Sequence, residues 1–286
     1  MICSFVNDVI DQDAVEILKN CGVKLVALRS AGFNQINLKA AKELALPVVR
    51  VPEYSPHSVA EHAVCLILAL NRKVHRAHNR VRDGNFSLNG LVGFDLYGKT
   101  VGVIGTGKIG SVMCRIMTGF GCKVLAFDLT PRKALASELG VKYVGLDEIY
   151  SVADIISLHL PLTPETLHVI GPNALSKMKP TVMLINTGRG ALIDSLALIE
   201  FLKSNRVGFA GLDVYEEEEG VFFQDLSDQV LKDDVLARLL TFPNVLVTSH
   251  QGFLTKEALE NIARTTLQNV REFENNHSLP NEVRIP

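Results

Sequence analysis

The stretch that decides the fold is Val101-Gly-Val-Ile-Gly-Thr-Gly-Lys-Ile-Gly110. It carries the spacing GxGxxG at Gly105, Gly107 and Gly110, between a strand-like apolar run and an amphipathic helical pattern. In such a turn the first glycine permits the tight bend, the second lets the backbone approach a pyrophosphate, and the third lets the helix pack on the strand. Free N–H groups at the helix N-terminus then bind the phosphates. The stretch predicts a dinucleotide-binding unit, and a plain structural turn is the alternative.

An acidic residue stands at the distance that this motif requires. The next strand-like run ends at Asp128, 23 residues after Gly105, and about 20 is typical. A carboxylate at this point accepts hydrogen bonds from ribose hydroxyls and repels a 2′-phosphate. The sequence therefore favours NAD as the cofactor. Because Arg132 lies close by, NADP is one alternative. The other alternative is that Asp128 is a solvated side chain that binds no cofactor.

Length, composition and charge exclude several classes of protein. A chain of 286 residues predicts about two domains of roughly 100–200 residues each. Hydrophobic residues make up 47% and charged residues 21%, which excludes a disordered or collagen-like chain. The net charge of −2 gives no general attraction to nucleic acid or to an anionic membrane. The apolar runs are too short to span a bilayer.

The cysteines and the N-terminus indicate a cytoplasmic protein. The five cysteines show neither a CxxC pair nor a Cys/His ladder, so we expect reduced thiols and no metal site. The N-terminus has neither the basic segment nor the apolar segment of a secretory signal.

Short β-branched runs alternate with helical patterns along the chain. Such alternation is typical of βαβ units with parallel strands. The strand-like runs cover residues 2–6, 25–28, 48–51, 101–104, 123–127, 141–144, 154–158, 182–186, 207–213 and 245–248. The predicted fold class is α/β with two doubly wound parallel-sheet domains.

One long helix is predicted over residues 58–82, with Ser58 as its N-cap and Glu61 three residues later. Its first half is apolar and its second half is basic. At this net charge a solvated helix face is a better interpretation of the basic half than a nucleic-acid surface. A connector rich in Gly and Asn follows over residues 83–99, and a second long amphipathic helix covers residues 256–275.

Three further segments place polar residues just beyond predicted strands. Arg189 stands between two glycines, His250 follows the last strand, and the run Glu216-Glu-Glu-Glu219 follows the strand between them. Ligands of open α/β sheets bind outside the carboxyl ends of the strands. There an arginine binds a carboxylate with two hydrogen bonds, and a histidine transfers protons near neutral pH. Taken singly, these residues also fit a surface turn, a solvated loop and a structural histidine, but their coincidence favours a catalytic site.

In these segments the sequence resembles the D-2-hydroxyacid dehydrogenase family, over essentially the whole chain. Besides the glycine loop, the resemblance is carried by VPEYSP (51–56), AEHA (60–63), NTGRGALID (186–194), LDVYEEE (212–218) and VTSHQGF (247–253). The insertion at residues 220–227, with Asp233 and Asp234 beyond it, is similar to the fermentative D-lactate dehydrogenase branch.

The resemblance implies a catalytic role for three residues. Arg189 would bind the carboxylate and carbonyl of the substrate, and His250 would donate the proton. Glu218 would be the partner of the histidine, because it lies 29 residues after Arg189 and 32 before His250, as the glutamate of the family does. No metal is implied.

The resemblance also implies the binding residues. Asp213 matches the residue that holds the nicotinamide carboxamide. The other implied cofactor contacts are Gly105, Gly107, Lys108, Ile109, Gly110, Asp128, Leu160, Pro161 and Thr187. The implied substrate contacts, besides Arg189, are Ala31, Gly32, Tyr54 and Phe253. His159 is equally a cofactor-lining or a strand-end packing residue. The histidines that we interpret as structural or solvated are His62, His75, His78 and His168.

The resemblance implies a substrate domain of residues 1–52 with 253–286 and an NAD-binding Rossmann domain of residues 53–252. In the family, two strands and a helix, roughly fifty residues, precede the segment that matches residues 2–8 in the flavodoxin-like domain. We therefore expect a shortened substrate domain with three strands and an exposed apolar edge. An incomplete coding sequence and a shortened isoform both explain this.

The implied activity is NAD-dependent reduction of pyruvate to D-lactate. The alternatives are a related glyoxylate or hydroxypyruvate reductase and a non-enzymatic NAD(H)-sensing interaction protein. The expected partner is a small 2-oxo or 2-hydroxy acid, with no nucleic acid and no membrane. The family also implies a homodimer or homotetramer, with the predicted helix 58–82 as a candidate contact.

Overall fold

The computed structural model describes residues 1–284. The chain divides into two compact units, Met1–Ser58 with Phe253–Pro286 (unit 1) and Val59–Gly252 (unit 2). Each unit is built on a parallel sheet, which confirms the predicted α/β class. The first boundary follows Ser58, whereas the sequence places it after residue 52, and the separate roles of the two domains stay predictions.

Helices and strands alternate through both units. The strands are β1 Ile2–Ser4, β2 Val26–Leu28, β3 Val48–Val49, β4 Thr100–Ile104, β5 Lys123–Phe127, β6 Lys142–Tyr143, β7 Ile155–Leu158, β8 Met183–Asn186, β9 Phe209–Leu212 and β10 Val245–Val247. The helices are α1 Gln12–Asn20, α2 Leu38–Glu43, α3 Pro56–Arg72, α4 Val74–Arg82, α5 Lys108–Gly119, α6 Lys133–Leu139, α7 Leu146–Val152, α8 Pro172–Lys177, α9 Ser195–Lys203, α10 Asp234–Thr241 and α11 Lys256–Glu274. Within residues 1–284 no helix is both long and apolar enough to cross a bilayer.

Unit 1 contains a three-stranded parallel sheet in the order β1-β2-β3. The central strand β2 is buried on both faces, as its unbroken apolar sequence predicts. Val26 and Leu28 pack in the cluster formed with α1 and α2. Leu25 and Ala27, which alternate with them, pack with Val270 of α11. The C-terminal helix therefore supplies the second layer of this unit.

Unit 2 contains a seven-stranded parallel sheet in the order β10-β9-β8-β7-β4-β5-β6. The chain enters at β4 in the middle, builds outward through β5 and β6, and then returns to β7 on the other side of β4. This reversal is the switch point beside which open α/β sheets bind ligands. Two apolar clusters form the core of the unit. The loops after β4, β5, β7, β8, β9 and β10 all leave the sheet at its carboxyl edge.

The predicted single helix over residues 58–82 is wrong, because the chain forms α3 and α4 with a break at Lys73. Lys73 has a φ of 51°, in the left-handed region that ends a right-handed helix. The chain that returns over the break explains it. The side chain of Asn71 accepts a hydrogen bond from Phe94 N (2.8 Å) and donates one to Phe94 O (2.7 Å). The helix also begins before Ser58, and the hydroxyl of Ser55 accepts the Ser58 N–H (3.2 Å).

Candidate active site

The glycine loop joins β4 to α5 at the switch point of the large sheet. Gly105 has a φ of +93°, and a Cβ there would lie 2.6 Å from His159 O. A Cβ on Gly110 would lie 1.9 Å from Gly105 O, so the helix can follow the strand this closely only with glycine at that position. Around a Cβ on Gly107, in contrast, 4 Å of space is open. Lys108 and Ile109 follow as the first two residues of α5.

Asp128 lies directly after β5 and is tied to the glycine loop. Its Oδ2 accepts hydrogen bonds from Thr106 N (2.6 Å) and the Thr106 hydroxyl (2.9 Å), and its Oδ1 accepts one from Thr130 N (2.8 Å). Burial by itself raises the pKa of this carboxyl, but these hydrogen bonds and the charge of Arg132 outweigh it and lower the pKa. Asp128 is therefore ionised at neutral pH, and it positions the loop that the cofactor would bind.

His159, Leu160 and Pro161 follow β7 and lie beneath the glycine loop. The imidazole Nε2 of His159 is 2.9 Å from the Ser157 hydroxyl. Burial lowers the pKa of His159 to about 4, so the ring is neutral at physiological pH. Because its backbone carbonyl and Cβ lie against Gly105 and Gly110, His159 packs at a strand end, as one of the two predicted alternatives has it.

The loop after β8 carries Arg189. Asn186 holds this loop in shape, because its Nδ2 donates to Arg189 O (2.8 Å) and its Oδ1 accepts Gly188 N–H (3.0 Å). Gly190 lies against the next loop, where a Cβ would fall 2.0 Å from the carbonyl carbon of Tyr215. Arg189 is half-buried, and its Nη1 donates to Gly188 O (2.7 Å).

Glu218 and His250 are in direct contact. The imidazole Nδ1 of His250 lies 2.9 Å from Glu218 Oε1, and the side chains of His250 and Glu218 are 14% and 26% exposed. A carboxylate accepts hydrogen bonds, so the ring nitrogen that faces it is a protonated Nδ1. The strands β8, β9 and β10, which precede Arg189, Glu218 and His250, are neighbours in the sheet. The structure thus brings the three predicted catalytic residues to adjacent strand ends.

Asp213, at the end of β9, shapes the loop that carries His250. Its Oδ1 accepts hydrogen bonds from the Thr248 hydroxyl (2.8 Å) and Gln251 N (2.9 Å), and its Oδ2 accepts one from Gly252 N (2.8 Å). Its backbone carbonyl accepts His250 N–H (2.6 Å). These four bonds hold His250 at a φ of 50°, a conformation that residues other than glycine seldom adopt.

His62 of α3 completes the surroundings of Asp213. Its Nε2 lies 3.2 Å from Asp213 Oδ1 and 2.9 Å from Thr248 Oγ1. Burial by itself raises the pKa of Asp213, but the hydrogen bonds and the attraction from His62, with those from Thr248 and Gly252, outweigh it and lower the pKa. This side chain, only 1% exposed, is therefore a buried anion at neutral pH.

The predicted substrate contacts other than Arg189 lie in unit 1. Ala31 and Gly32 form a turn after β2, in which Ala31 O accepts from Arg50 Nη1 (2.8 Å) and Gly32 O accepts from the Ser30 hydroxyl (2.7 Å). The ring of Phe253 meets Tyr54 edge-on at 6.3 Å between centroids. Their roles toward a substrate stay predictions.

Three residues that contact Asp213, Glu216 or His250 were not predicted from the sequence as part of the site. His62 and His168, interpreted as structural or solvated, each contact a carboxylate of the loop after β9, on Asp213 and Glu216 respectively. The ring of Phe223, in the insertion, lies 5.9 Å from that of His250. The AEHA segment quoted in the resemblance contains His62 and was the available signal for it. No pattern in the sequence singled out the other two.

Comparison with known proteins establishes the family. Residues 64–252 match the family model "D-isomer specific 2-hydroxyacid dehydrogenase, NAD binding domain". The chain belongs to the D-isomer specific 2-hydroxyacid dehydrogenases. It is similar to the D-lactate dehydrogenase of Escherichia coli strain K12, with 56% identity over 282 residues that cover 99% of this chain and 85% of that protein. The predicted family, enzyme class and use of NAD are confirmed.

Solved structures agree with this family. The chain is similar to a pyruvate reductase of Chlamydomonas reinhardtii, with a TM-score of 0.93 and 49% identity over 98% of this chain and 84% of that one. It also resembles a D-lactate dehydrogenase from Lactobacillus jensenii solved with NAD⁺, with a TM-score of 0.81 and 33% identity over 99% of this chain and 86% of that one.

The residues of unit 2 fit the cofactor of the family. The glycine loop leaves open space beside Gly107, where a pyrophosphate would meet the N-terminus of α5. The hydroxyl of Thr187, beside the arginine loop, is buried and has no hydrogen-bond partner within the described part of the chain. A bound ligand would supply the hydrogen bond that this hydroxyl lacks.

We expect Asp213→Asn to lower the free energy of unfolding by about 2 kcal/mol at pH 7, since an ionised group with several hydrogen bonds is lost. Because the folded-state pKa lies below the ordinary value of 3.8, the ionised carboxylate stabilises the fold above that value. This contribution disappears as the pH falls through the lowered pKa. Urea unfolding of both proteins between pH 7 and pH 3 checks this, with exposed Asp228→Asn as the control. A stability difference that does not change with pH would contradict it.

Proposed function

We propose that this dehydrogenase reduces pyruvate to D-lactate with NADH. The observation that carries the proposal is the hydrogen-bonded pair of Glu218 and His250, which follow β9 and β10, on the same sheet edge as Arg189 after the neighbouring strand β8. A carboxylate-binding cation and a paired histidine are what reduction of a 2-oxo acid requires. The family to which the chain belongs supports the same reaction.

Arg189 binds the substrate anion in this proposal. Its guanidinium offers a planar set of donors, which matches a carboxylate with two parallel hydrogen bonds. The same cation stabilises the negative charge that develops on the carbonyl oxygen during reduction. The backbone of its loop is fixed by Asn186 before substrate arrives, so little reorganisation is needed on binding.

His250 supplies the proton. NADH, when bound, supplies the hydride that adds to the carbonyl carbon. The protonated Nε2 of His250 donates to the oxygen as it becomes an alkoxide. Glu218, in contact with Nδ1, fixes the orientation of the ring. Asp213 and His62 hold the backbone on which His250 stands.

The identity of the 2-oxo acid rests on the relatives. Proteins named D-lactate dehydrogenase and pyruvate reductase match nearly the whole of this chain at 56% and 49% identity. A glyoxylate or hydroxypyruvate reductase is the alternative within the family. A pocket distinguishes a methyl from a hydroxymethyl group by only about 1–3 kcal/mol. Comparison of kcat/KM for the three acids therefore decides the substrate.

We expect His250→Gln to lower kcat for pyruvate by about 10²–10⁴-fold, because the positioned proton donor is lost. KM for NADH should stay within about twofold, since the residue acts on the substrate side. Initial rates of NADH oxidation and chiral analysis of the lactate formed check this, with exposed His78→Gln as the matched control. Near-full turnover by a folded His250→Gln protein would remove His250 from the mechanism. An unaltered protein that binds NADH but reduces no 2-oxo acid would refute the proposed function.

We propose that Asp128 selects NADH over NADPH. Its ionised carboxylate would accept a ribose hydroxyl and repel a 2′-phosphate. Asp128→Ala should raise KM for NADH by about tenfold and reduce the preference over NADPH. Steady-state kinetics with both cofactors checks this, with exposed Asp83→Ala as the control. An unchanged ratio of the two kcat/KM values would show that another residue makes the selection.

We also propose that the enzyme is a cytoplasmic homodimer or homotetramer. Large apolar side chains are exposed on α4 and in the loop that follows it: Val74, Val81, Phe86, Leu88, Val92 and Tyr97. A concentration of this kind is typical of an interface between proteins. Val81→Glu should shift the protein toward monomer in sedimentation velocity, whereas Val230→Glu, at a position that is 86% exposed, should not. A monomeric unaltered protein would refute the assembly. The free cysteines are consistent with a reducing compartment.

A further inference from the structure

A second histidine–carboxylate pair lies beside the proposed catalytic residues. The Nε2 of His168 is 2.5 Å from Glu216 Oε1, and Glu216 Oε2 accepts the N–H of Ser195 at the start of α9 (3.2 Å). The two paired side chains are 39% and 26% exposed. Glu217 and Glu219, on either side of Glu218, are exposed to solvent. Of the four consecutive glutamates, Glu216 and Glu218 are thus the two that contact histidines.

His168 belongs to a segment that is bonded to the arginine loop. Its N–H donates to Ala191 O (2.8 Å), Ile170 N–H donates to Leu192 O (3.0 Å), and Asp194 N–H donates to Ile170 O (3.1 Å). His168 also has a φ of 50°, which a residue other than glycine keeps only when its surroundings hold it there. The imidazole is therefore fixed relative to the chain that carries Arg189.

Glu216 belongs to the loop that carries Glu218. The Oε2 of Glu218 accepts Tyr215 N–H (3.3 Å), so the two glutamates share one short stretch of backbone. That stretch lies against Gly190, where a Cβ would fall 2.4 Å from Glu216 N. The contact between His168 and Glu216 therefore links the chain of Arg189 to the chain of Glu218.

We infer that His168 and Glu216 are positioning residues of the dehydrogenase: their contact sets the placement of the Glu218 loop beside the Arg189 loop, and so the orientation of His250. This inference rests on the proposed function, because it concerns the geometry of the same reaction. Displacements of about 1 Å in a catalytic group can lower a rate by about 100-fold. Loss of the contact that joins the two loops would allow their catalytic groups to move apart by a distance of this order.

Kinetics of four single variants tests the inference. His168→Ala and Glu216→Ala should each lower kcat for the 2-oxo acid by between about tenfold and about 100-fold. KM for NADH should change by less than about twofold, because the glycine loop lies elsewhere on the sheet edge. Glu217→Ala and Glu219→Ala, at the exposed neighbours, should keep the unaltered kcat.

Two further variants separate positioning from general stability. His168→Gln keeps an N–H donor near the place of Nε2, so it should recover most of the lost kcat. The double variant His168→Ala with Glu216→Ala should be no slower than the slower single variant, because both remove one contact. Folded alanine variants that keep kcat within about twofold, or two losses that multiply in the double variant, would overturn the inference.

A measurement without turnover keeps this test independent of the proposed function. Protein labelled with ¹⁵N in its histidines should show a downfield Nδ1–H resonance for His250, assigned by its loss in His250→Gln. The resonance should broaden through exchange with water in His168→Ala and persist in His168→Gln and Glu217→Ala. Its persistence in His168→Ala, or its absence from the unaltered protein, overturns the inference. If the unaltered protein reduces no 2-oxo acid, the proposed function fails, and this resonance alone decides the role of His168.

Discussion

The site depends on a buried negative charge. The carboxylate of Asp213 accepts hydrogen bonds from the side chain of Thr248 and from the backbone N–H groups of Gln251 and Gly252, and His62 lies against it. An ion in this position is stable only when donors replace the water it has lost. The donors come from the loop after β10, so the loop must fold around the charge. The strained backbone of His250 follows from that requirement.

Close backbone contacts form a second constraint on the same sheet edge. Gly110 lies against Gly105 O, and Gly190 lies against Tyr215, at distances where no Cβ fits. The first contact places the N-terminus of α5 at the end of β4, which suits a bound pyrophosphate. The second holds the loop that carries Arg189 against the loop that carries Glu218. Both the predicted cofactor site and the proposed catalytic site thus depend on a glycine that lets two backbone segments pack closely.

The two units divide the predicted functional residues between them. Unit 2 holds the glycine loop, Asp128 and the three predicted catalytic residues, all on loops that leave one parallel sheet. Unit 1 holds the predicted substrate contacts around Tyr54 and Phe253. The helix α11 packs on β2 in unit 1, so a segment that is distant in sequence completes that core. Arg189 is the predicted substrate contact that lies in unit 2, with the predicted cofactor contacts.

Much of this molecule is determined by local sequence. The apolar runs predict nearly every strand of the two sheets, because parallel strands buried on both faces need unbroken hydrophobic sequence. The glycine spacing and Asp128 predict the cofactor site. Glycine is required at positions 105 and 110 because nearby backbone atoms leave no room for a Cβ. Glu218 is distinguished from its three glutamate neighbours by its spacing from Arg189 and His250 in the family resemblance. Hydrophobic periodicity does not distinguish the four glutamates from one another.

Tertiary structure decided the rest. The break at Lys73 depends on a chain that returns over Asn71 from more than 20 residues away, and nothing in the local helical pattern announces it. His62 contacts Asp213 across 151 residues of sequence, and His168 contacts Glu216 across 48. A histidine acquires a role of this kind from the carboxylate that the fold brings to it. Local sequence determines which segments become strands and turns, whereas only packing determines which polar side chains meet.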